Sequence, residues 1–452
     1  MSQLVAVING AIRQLDSVEL KRLARWRVST FWVMLFGYIG YYLCRGNLSA
    51  ALPLLSETFG YTKTELGAIG GWATLAYAIG KFINGPLGDK IGGRNIFLIG
   101  MVGAISANIM FAMSTGLTAF TVVWCVNRFF LSMGWGGITK IIGAWYPPHR
   151  HGTIMGFISV NFQFGGVAAL LFSSVLIWYG IGWQGLFLYP AAALILILIW
   201  SYLSSRDAPD LVIKGARYHT QDSEPHHRIA HFETDNDKPG ITLILKTLFR
   251  MSIFRRLLIF SMLTTSLRTF FIFWLPTFLV DMGLDNIDAL TRSAFIAFMG
   301  VLGTLLLGWY TDKYAKDGNR AHATWIMLSG LGVCLLAIAS LTEVGPSARS
   351  LIVGLLGLSC FFLLGPYSMS SGAFTLDIAG SKGAGSCTGM IDGLGYVGGA
   401  AATWGAGLLA DSAGWGQVFV LLAICAFIAT GAAYLMSQSY KREAEKAHIH
   451  AA

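Results

Sequence analysis

Runs of about 20 apolar residues recur along the chain, each long enough for a helix to cross a hydrocarbon core roughly 30 Å thick. They fall near 30–54, 66–88, 95–114, 118–143, 152–176 and 181–203, then near 256–280, 291–311, 321–341, 348–374, 385–409 and 414–436. The pattern predicts an all-α membrane protein of twelve transmembrane helices. Between the two sets of six lies a polar, histidine-rich stretch, roughly 204–255, which reads as a cytoplasmic linker. It carries an amphipathic piece at ITLILKTLFRMSIFRR (241–256). Its histidines could bind a metal, but a solvated linker is the simpler reading. The expected organisation is therefore an N-terminal segment (1–29), a first half (30–203), the linker (204–255), a second half (256–436) and a tail (437–452).

The two halves repeat one another. Arg45, Pro53 and Gly60 stand 223 positions before Arg268, Pro276 and Gly283. Gly85, Asp89 and Lys90 stand at the same offset before Gly308, Asp312 and Lys313. Later the offset becomes 233, with Gly152, Gly156, Gly165 and Gly166 answered by Gly385, Gly389, Gly398 and Gly399. GWQGLF (182–187) and GWGQVF (414–419) then close each half. Duplication in parallel orientation predicts a substrate site between the halves near the bilayer midplane.

Composition agrees. Apolar residues are 55% of 452 and charged residues only 12%, too few charges for a water-facing surface of this size. The net charge of +9 could suggest nucleic acid, but its placement excludes that class. Of 32 Lys and Arg, five fall within spans, three (Lys63, Arg292, Arg349) on one side, and the other 24 on the opposite side. Such a bias places both termini in the cytoplasm. The first 29 residues are basic and the first apolar run is long enough to span, so no cleaved leader is expected. The six cysteines lie in apolar segments without metal-ligand spacing, so neither disulfide nor metal is expected. No enzyme constellation or cofactor motif is present; the glycine-rich stretches are helix-packing motifs.

The loop after the second run, Gly85-Pro-Leu-Gly-Asp89-Lys90-Ile-Gly92-Gly-Arg94, has a degenerate copy ending in Asp312-Lys313. It resembles the loop signature of the major facilitator superfamily. There the glycines permit a tight turn and close helix approach, while Asp and Arg cap or bridge helix ends on the cytoplasmic side. Gly85, Asp89, Arg94 and Asp312 are accordingly gating-loop candidates. Within that superfamily, YIGYYLCRGNLSAALP (38–53), AYAIGKFINGPLGDK (76–90), MGW (133–135) with Lys140, SSRDAP (204–209), GNRA (318–321), Gly365-Pro366 and TGMIDGLGYVGG (388–399) together resemble the organophosphate:phosphate antiporter family. The resemblance runs from about residue 30 to 436. It implies exchange of a small organophosphate for inorganic phosphate at the inner membrane, by a monomer.

Five basic residues lie within spans: Arg45, Lys81, Arg128, Lys140 and Arg268. A charge near the bilayer centre costs at least ~2.5 kcal/mol, so such residues face cavities and serve function. Arg45 and Arg268 occupy equivalent mid-span positions, where two guanidinium forks facing each other suit bidentate phosphate or carboxylate binding. The resemblance implies the same phosphate clamp. Lys81 is either a further anion contact or a snorkelling lysine; Lys140 snorkels, and Arg128 is open. Tyr38, Tyr41 and Tyr42 share the first helix with Arg45, Tyr41 at i−4, and Tyr396 lies in the eleventh; Tyr38, Tyr42 and Tyr396 are cavity candidates, with core packing the competing reading.

The chain also departs from the family. A histidine usual in the fifth span is replaced by Asn161-Phe-Gln163, whose amides would offer neutral donors at that wall. Asp392, in the eleventh span, stands where relatives tend to carry a small residue. A carboxylate there must be paired or protonated. It could hold a basic side chain, meet the ammonium of a zwitterionic substrate, or carry a coupled proton. A sugar-phosphate sensor and a proton-coupled organic-anion symporter are the alternatives to phosphate exchange.

Overall fold

The computed structural model describes the backbone of residues 4–8, 11–146, 154, 158, 161–218, 248–314, 319–370 and 373–451. Most of the histidine-rich stretch, and the repeat glycines Gly152 and Gly156, lie outside the described residues. So do the surroundings of Gly385 and Gly389 and the side chains of Asp89, Gln163 and Asp312.

The described chain is overwhelmingly helical, and nine of its helices are long and apolar enough to cross a membrane. The first helix, Ser17–Phe59, begins well before the expected boundary at 30. A capping box explains the early start: Glu19 N donates to Asp16 Oδ1 at 2.7 Å and Asp16 N to Glu19 Oε2 at 3.1 Å, satisfying two amides that the helix leaves open. That helix ends at Gly60, whose φ of +71 stops it. The second, Lys63–Ile91, opens with another capping box between Thr62 and Glu65. Gly283, the repeat copy of Gly60, also has a positive φ, +85, just beyond the seventh span, Ser252–Asp281. The duplication read in the sequence is thus a duplication of turn geometry.

Spans three, four and six are Gly93–Met113, Leu117–Trp145 and Gly185–Ser204. The fifth is described from Asn161 to Trp178. Spans eight, nine and ten are Asn286–Tyr314, Ala321–Thr342 and Arg349–Ser370. The helix after them is assigned unbroken from Ala373 to Ala451. Gly414, at φ +81, divides it into the eleventh and twelfth spans. The two parts run in opposite directions along span seven. Thr403 accepts from Trp274 Nε1 and Trp415 packs on Phe278, whereas Leu435 and Ser439, after the turn, return to Arg256 at the start of span seven.

One feature outside the helical body carries no hydropathy signal. Strand β1 (Leu4–Ile8) pairs antiparallel with β2 (Ala11–Gln14) and with β3 (Ala216–Tyr218), giving the order β2-β1-β3. The N-terminal segment and the start of the expected linker therefore form a small sheet.

Backbone proximity divides the chain into two compact units. One comprises Met1–Ala51 with Ala76–Glu224, the other Leu52–Leu75 with Pro225–Ala452. The units differ from the repeat halves in residues 52–75. In the second unit that segment is held by Asp411, which accepts from the amides of Lys63 (3.2 Å) and Thr64 (2.6 Å) and from the Thr64 hydroxyl (2.6 Å). Lys63 Nζ also lies 3.1 Å from Asp281 Oδ2. Gly407 permits this approach, since a Cβ there would strike the Lys63 carbonyl.

Candidate functional site

In the first unit, spans one and two bring Tyr42, Arg45, Tyr77 and Lys81 together. The Arg45 guanidinium carbon sits 4.7 Å from the Tyr77 ring centroid and 5.3 Å from that of Tyr42. Arg45 also hydrogen-bonds the Tyr77 phenol. Lys81 Nζ is 5.6 Å from the same Tyr77 ring, one turn along span two. Tyr77 is 2% and Tyr42 6% exposed, so the cations meet aromatic faces in a buried setting, where cation–π attraction is strongest. A guanidinium carries five N–H donors in a planar fork that suits bidentate contact with an oxyanion.

The neighbouring tyrosines divide their work. Tyr41, one turn before Arg45, turns away: its hydroxyl donates to the Phe97 carbonyl at 2.5 Å and ties span one to span three. The tyrosine that meets Arg45 is Tyr42, at i−3 rather than i−4. Tyr38 packs edge-on against Tyr42 at 5.4 Å and beside Trp135 at 5.7 Å, so it supports the cluster from behind. Asn161, read as a neutral donor on the substrate wall, donates to the Leu35 carbonyl at 3.0 Å and ties span five to span one. Gly165 lets span five reach Tyr42, its Cβ position lying 2.7 Å from Tyr42 Cβ. Gln163 falls among the side chains outside the described residues.

In the second unit Arg268 is 5% exposed, and its guanidinium carbon lies 4.6 Å from the ring centroid of Tyr367 on span ten. The repeat thus supplies both arginines but not their aromatic partners: the position 223 after Tyr77 is Gly300, where Leu364 packs. Asp392 and Tyr396 lie one turn apart on span eleven, both partly exposed. Arg128 is 8% exposed and lies over Trp124 at 5.9 Å. Beside it, Asn127 Nδ2 donates to the Cys44 carbonyl and Asn47 Nδ2 to Asn108 Oδ1, a buried amide network crossing spans one, three and four.

The loop motif has a geometry of its own. Gly92 adopts φ +92, and Asp207, just after span six, accepts from the Arg94 amide at 3.1 Å. Arg94 reaches the Tyr202 carbonyl (2.6 Å) and the Ser205 hydroxyl (3.2 Å), tying span three to the end of span six. Lys140 donates to the Gly88 carbonyl at 2.6 Å instead of snorkelling free. Gly85 has open space where a Cβ would stand. The roles expected of it belong to Gly92, which makes the turn, and to Gly93, whose Cβ position is 2.8 Å from the Gly137 carbonyl. Asp89 and Asp312 fall among the side chains outside the described residues.

Residues 34–403 match the Major Facilitator Superfamily. The chain belongs to that superfamily and is an integral membrane protein. Among curated relatives, the probable hexose phosphate transport protein of Chlamydia pneumoniae is 28% identical, over 92% of this chain and 93% of that one. The glycerol-3-phosphate transporter of Bacillus subtilis is 26% identical over 88% and 89%. The membrane sensor protein UhpC of Escherichia coli is 25% identical over 91% and 93%. Two solved structures share the fold. A bacterial homologue of the human lysosomal transporter Spinster superposes with TM-score 0.71 at 15% identity, covering 92% of this chain and 98% of that one. The D-xylose–proton symporter superposes with TM-score 0.72 at 12%, covering 90% and 97%.

For this superfamily member, sequence reasoning passed over Tyr77 and Tyr367. Both stand inside stretches already singled out, AYAIGKF and the residue after Gly365-Pro366. For Tyr77 a signal existed: it precedes Lys81 by four residues and so shares its helix face. For Tyr367 there was none, because its contact joins spans seven and ten, far apart in sequence.

Proposed function

We propose that this protein is a secondary transporter that moves a small organophosphate across the inner membrane by alternating access, in exchange for inorganic phosphate. Both termini are cytoplasmic, and the working unit is a monomer. Arg45 and Arg268 take the oxyanion. Lys81, Tyr38, Tyr42, Tyr77, Gln163, Tyr367, Asp392 and Tyr396 shape its surroundings, while the loop elements at Gly85, Asp89, Arg94 and Asp312 govern the cytoplasmic side.

The observation that carries the reading is the pair of repeat-related, mid-span arginines, each with its guanidinium carbon over a tyrosine ring, at 4.7 Å for Arg45 and 4.6 Å for Arg268. Membrane-centre arginines are costly, and the planar fork of a guanidinium matches a phosphate or carboxylate bidentately. Similarity over most of the chain to hexose phosphate and glycerol-3-phosphate transporters favours phosphate. Substrate then drives the cycle only by binding one conformational state more tightly than the others, since equal affinity shifts nothing.

The test is counterflow in proteoliposomes loaded with phosphate and offered glycerol phosphate, hexose phosphates and dicarboxylates. Exchange of phosphate for at least one phosphate ester is expected. Uptake of dicarboxylates alone, driven by a proton gradient, would replace the reading with a symporter. The likeness to UhpC favours a second reading, a sensor that binds a sugar phosphate with little turnover. Saturable binding without counterflow would establish it.

A further inference from the structure

The departure least absorbed by phosphate exchange is Asp392, a carboxylate within the eleventh span. Three observations fix its place within the second unit. First, spans seven and eleven pack closely along this stretch. The Ser261 hydroxyl donates to the Ile391 carbonyl at 3.5 Å, and the Cβ positions of Gly395 and Gly399 lie 2.8 and 2.7 Å from the hydroxyls of Thr265 and Thr269. Gly398 meets Met262 and Ser266 at the same interface, so span eleven stands level with positions 130–136 earlier in span seven, which sets Asp392 against Met262 or the turn before it. From Met262 to Arg268 is six residues, about 9 Å along a helix.

Second, span eleven has an exposed apolar stripe: Leu394 (37%), Val397 (48%), Trp404 (49%) and Leu408 (55%). At ~100° per residue, Asp392 and Tyr396 lie roughly 120–160° around the helix from that stripe. Asp392 is thus turned from the lipid side, next to the face that meets span seven. Third, Arg268 stands on span seven, its guanidinium carbon 4.6 Å from the Tyr367 ring centroid, so cation and carboxylate are carried by two packed helices at separate levels.

A positive group and a negative group at different levels of two packed helices select a ligand of the opposite polarity along its length. We infer that Asp392 is a specificity residue for a zwitterionic substrate, an aminoalkyl phosphate or phosphonate whose phosphorus oxyanion meets Arg268 and whose ammonium meets Asp392. The inference rests on the phosphate reading of Arg268 given above. An ammonium–carboxylate hydrogen bond in a site of this kind is one of the stronger single contacts a ligand can make. Arginines bind anionic and zwitterionic phosphonates alike, so the preference for an amine resides in Asp392.

The experiment compares aminoethylphosphonate with propylphosphonate, a near-isostere without the charge, as competitors of labelled phosphate in phosphate-loaded proteoliposomes. The wild-type protein is expected to favour the amine by roughly ten- to hundredfold in half-inhibitory concentration. Asp392→Asn is expected to bring that ratio close to one, and Asp392→Glu to retain most of it. Equal inhibition by the two compounds in the wild type, or an unchanged ratio in Asp392→Asn, overturns the inference. The ratio is internal to each variant, so a loss of expression or overall rate does not imitate the effect. If the wild type exchanges no phosphate at all, the proposed transport function falls. Thermal stabilisation of the purified protein by the same two compounds then decides the Asp392 question: selective stabilisation by the amine, lost in Asp392→Asn, upholds it, and equal stabilisation or none overturns it.

Discussion

Arg45 lies against the ring of Tyr77, its guanidinium carbon 4.7 Å from the centroid, and hydrogen-bonds the phenol of the same residue. One tyrosine thereby meets the guanidinium through both its ring and its hydroxyl. The two contributions are separable. Tyr77→Phe keeps the ring and removes the hydroxyl, and losing a hydrogen bond to a charged group costs about 1.5–3 kcal/mol. Half-saturation for phosphate in counterflow is expected to rise about tenfold or more. Tyr77→Ala removes the stacking face as well and is expected to be worse. Equal behaviour of Phe and wild type would show that the hydroxyl does not position Arg45.

Arg268 and Tyr367 present the simpler case, because the contact is to the ring face. Tyr367→Phe is expected to stay within about threefold of wild type, while Tyr367→Ala forfeits a cation–π contact worth about 0.5–2 kcal/mol. Arg45→Lys and Arg268→Lys each keep the charge but lose the fork, so each is expected to reduce exchange by two orders of magnitude or more. Full activity in either would remove that arginine from the clamp.

How much of this was legible before the fold? The spans and their duplication were, because twenty-residue hydropathy and repeat offsets are one-dimensional signals. Arg45 and Arg268 stood out because charge in an apolar run is conspicuous by itself. What escaped was direction. Tyr41 and Tyr42 are adjacent in sequence, yet one ties to Phe97 and the other stacks on Arg45; a 100° step around the helix decides, and the sequence pattern does not say which face meets which neighbour. Asn161 was assigned to the cavity wall for its polarity, but its amide is spent on the Leu35 carbonyl. The first helix begins before the expected span because hydropathy marks the lipid boundary, whereas the Asp16–Glu19 capping box marks the end of the hydrogen-bond ladder.

The glycines of the loop motif differ in consequence. Gly85 has no neighbour where a Cβ would stand and no left-handed backbone. Gly85→Ala is therefore expected to be neutral or slightly stabilising, as helix propensity favours Ala by about 1 kcal/mol. Gly92, at φ +92 and against Asp207, cannot accept a side chain without strain. Gly92→Ala is expected to lower the melting temperature in detergent clearly, and transport with it. A neutral Gly92→Ala beside a damaging Gly85→Ala would reverse the assignment of the turn.

Asp411 and Asp281 both hold the start of span two, yet the weights differ. The Lys63–Asp281 pair is about a third exposed on each side, and such pairs contribute roughly 0.2–1 kcal/mol. Asp281 also accepts from Trp415 Nε1 at 2.8 Å, an interaction that Asn retains. Asp411 instead accepts from two amides at a helix N-terminus and from the Thr64 hydroxyl. Losing a cap of that type costs about 0.5–2 kcal/mol. Asp411→Ala is thus expected to destabilise the purified protein more than Asp281→Asn, in thermal melts of both variants under identical detergent and salt. Raising the salt concentration should shrink the Asp281→Asn effect, since exposed ion pairs are screened, and leave most of the Asp411→Ala effect in place, because backbone hydrogen bonds to a cap depend less on ionic strength. The opposite ranking would mean that the ion pair, not the cap, secures residues 52–75 to the second unit.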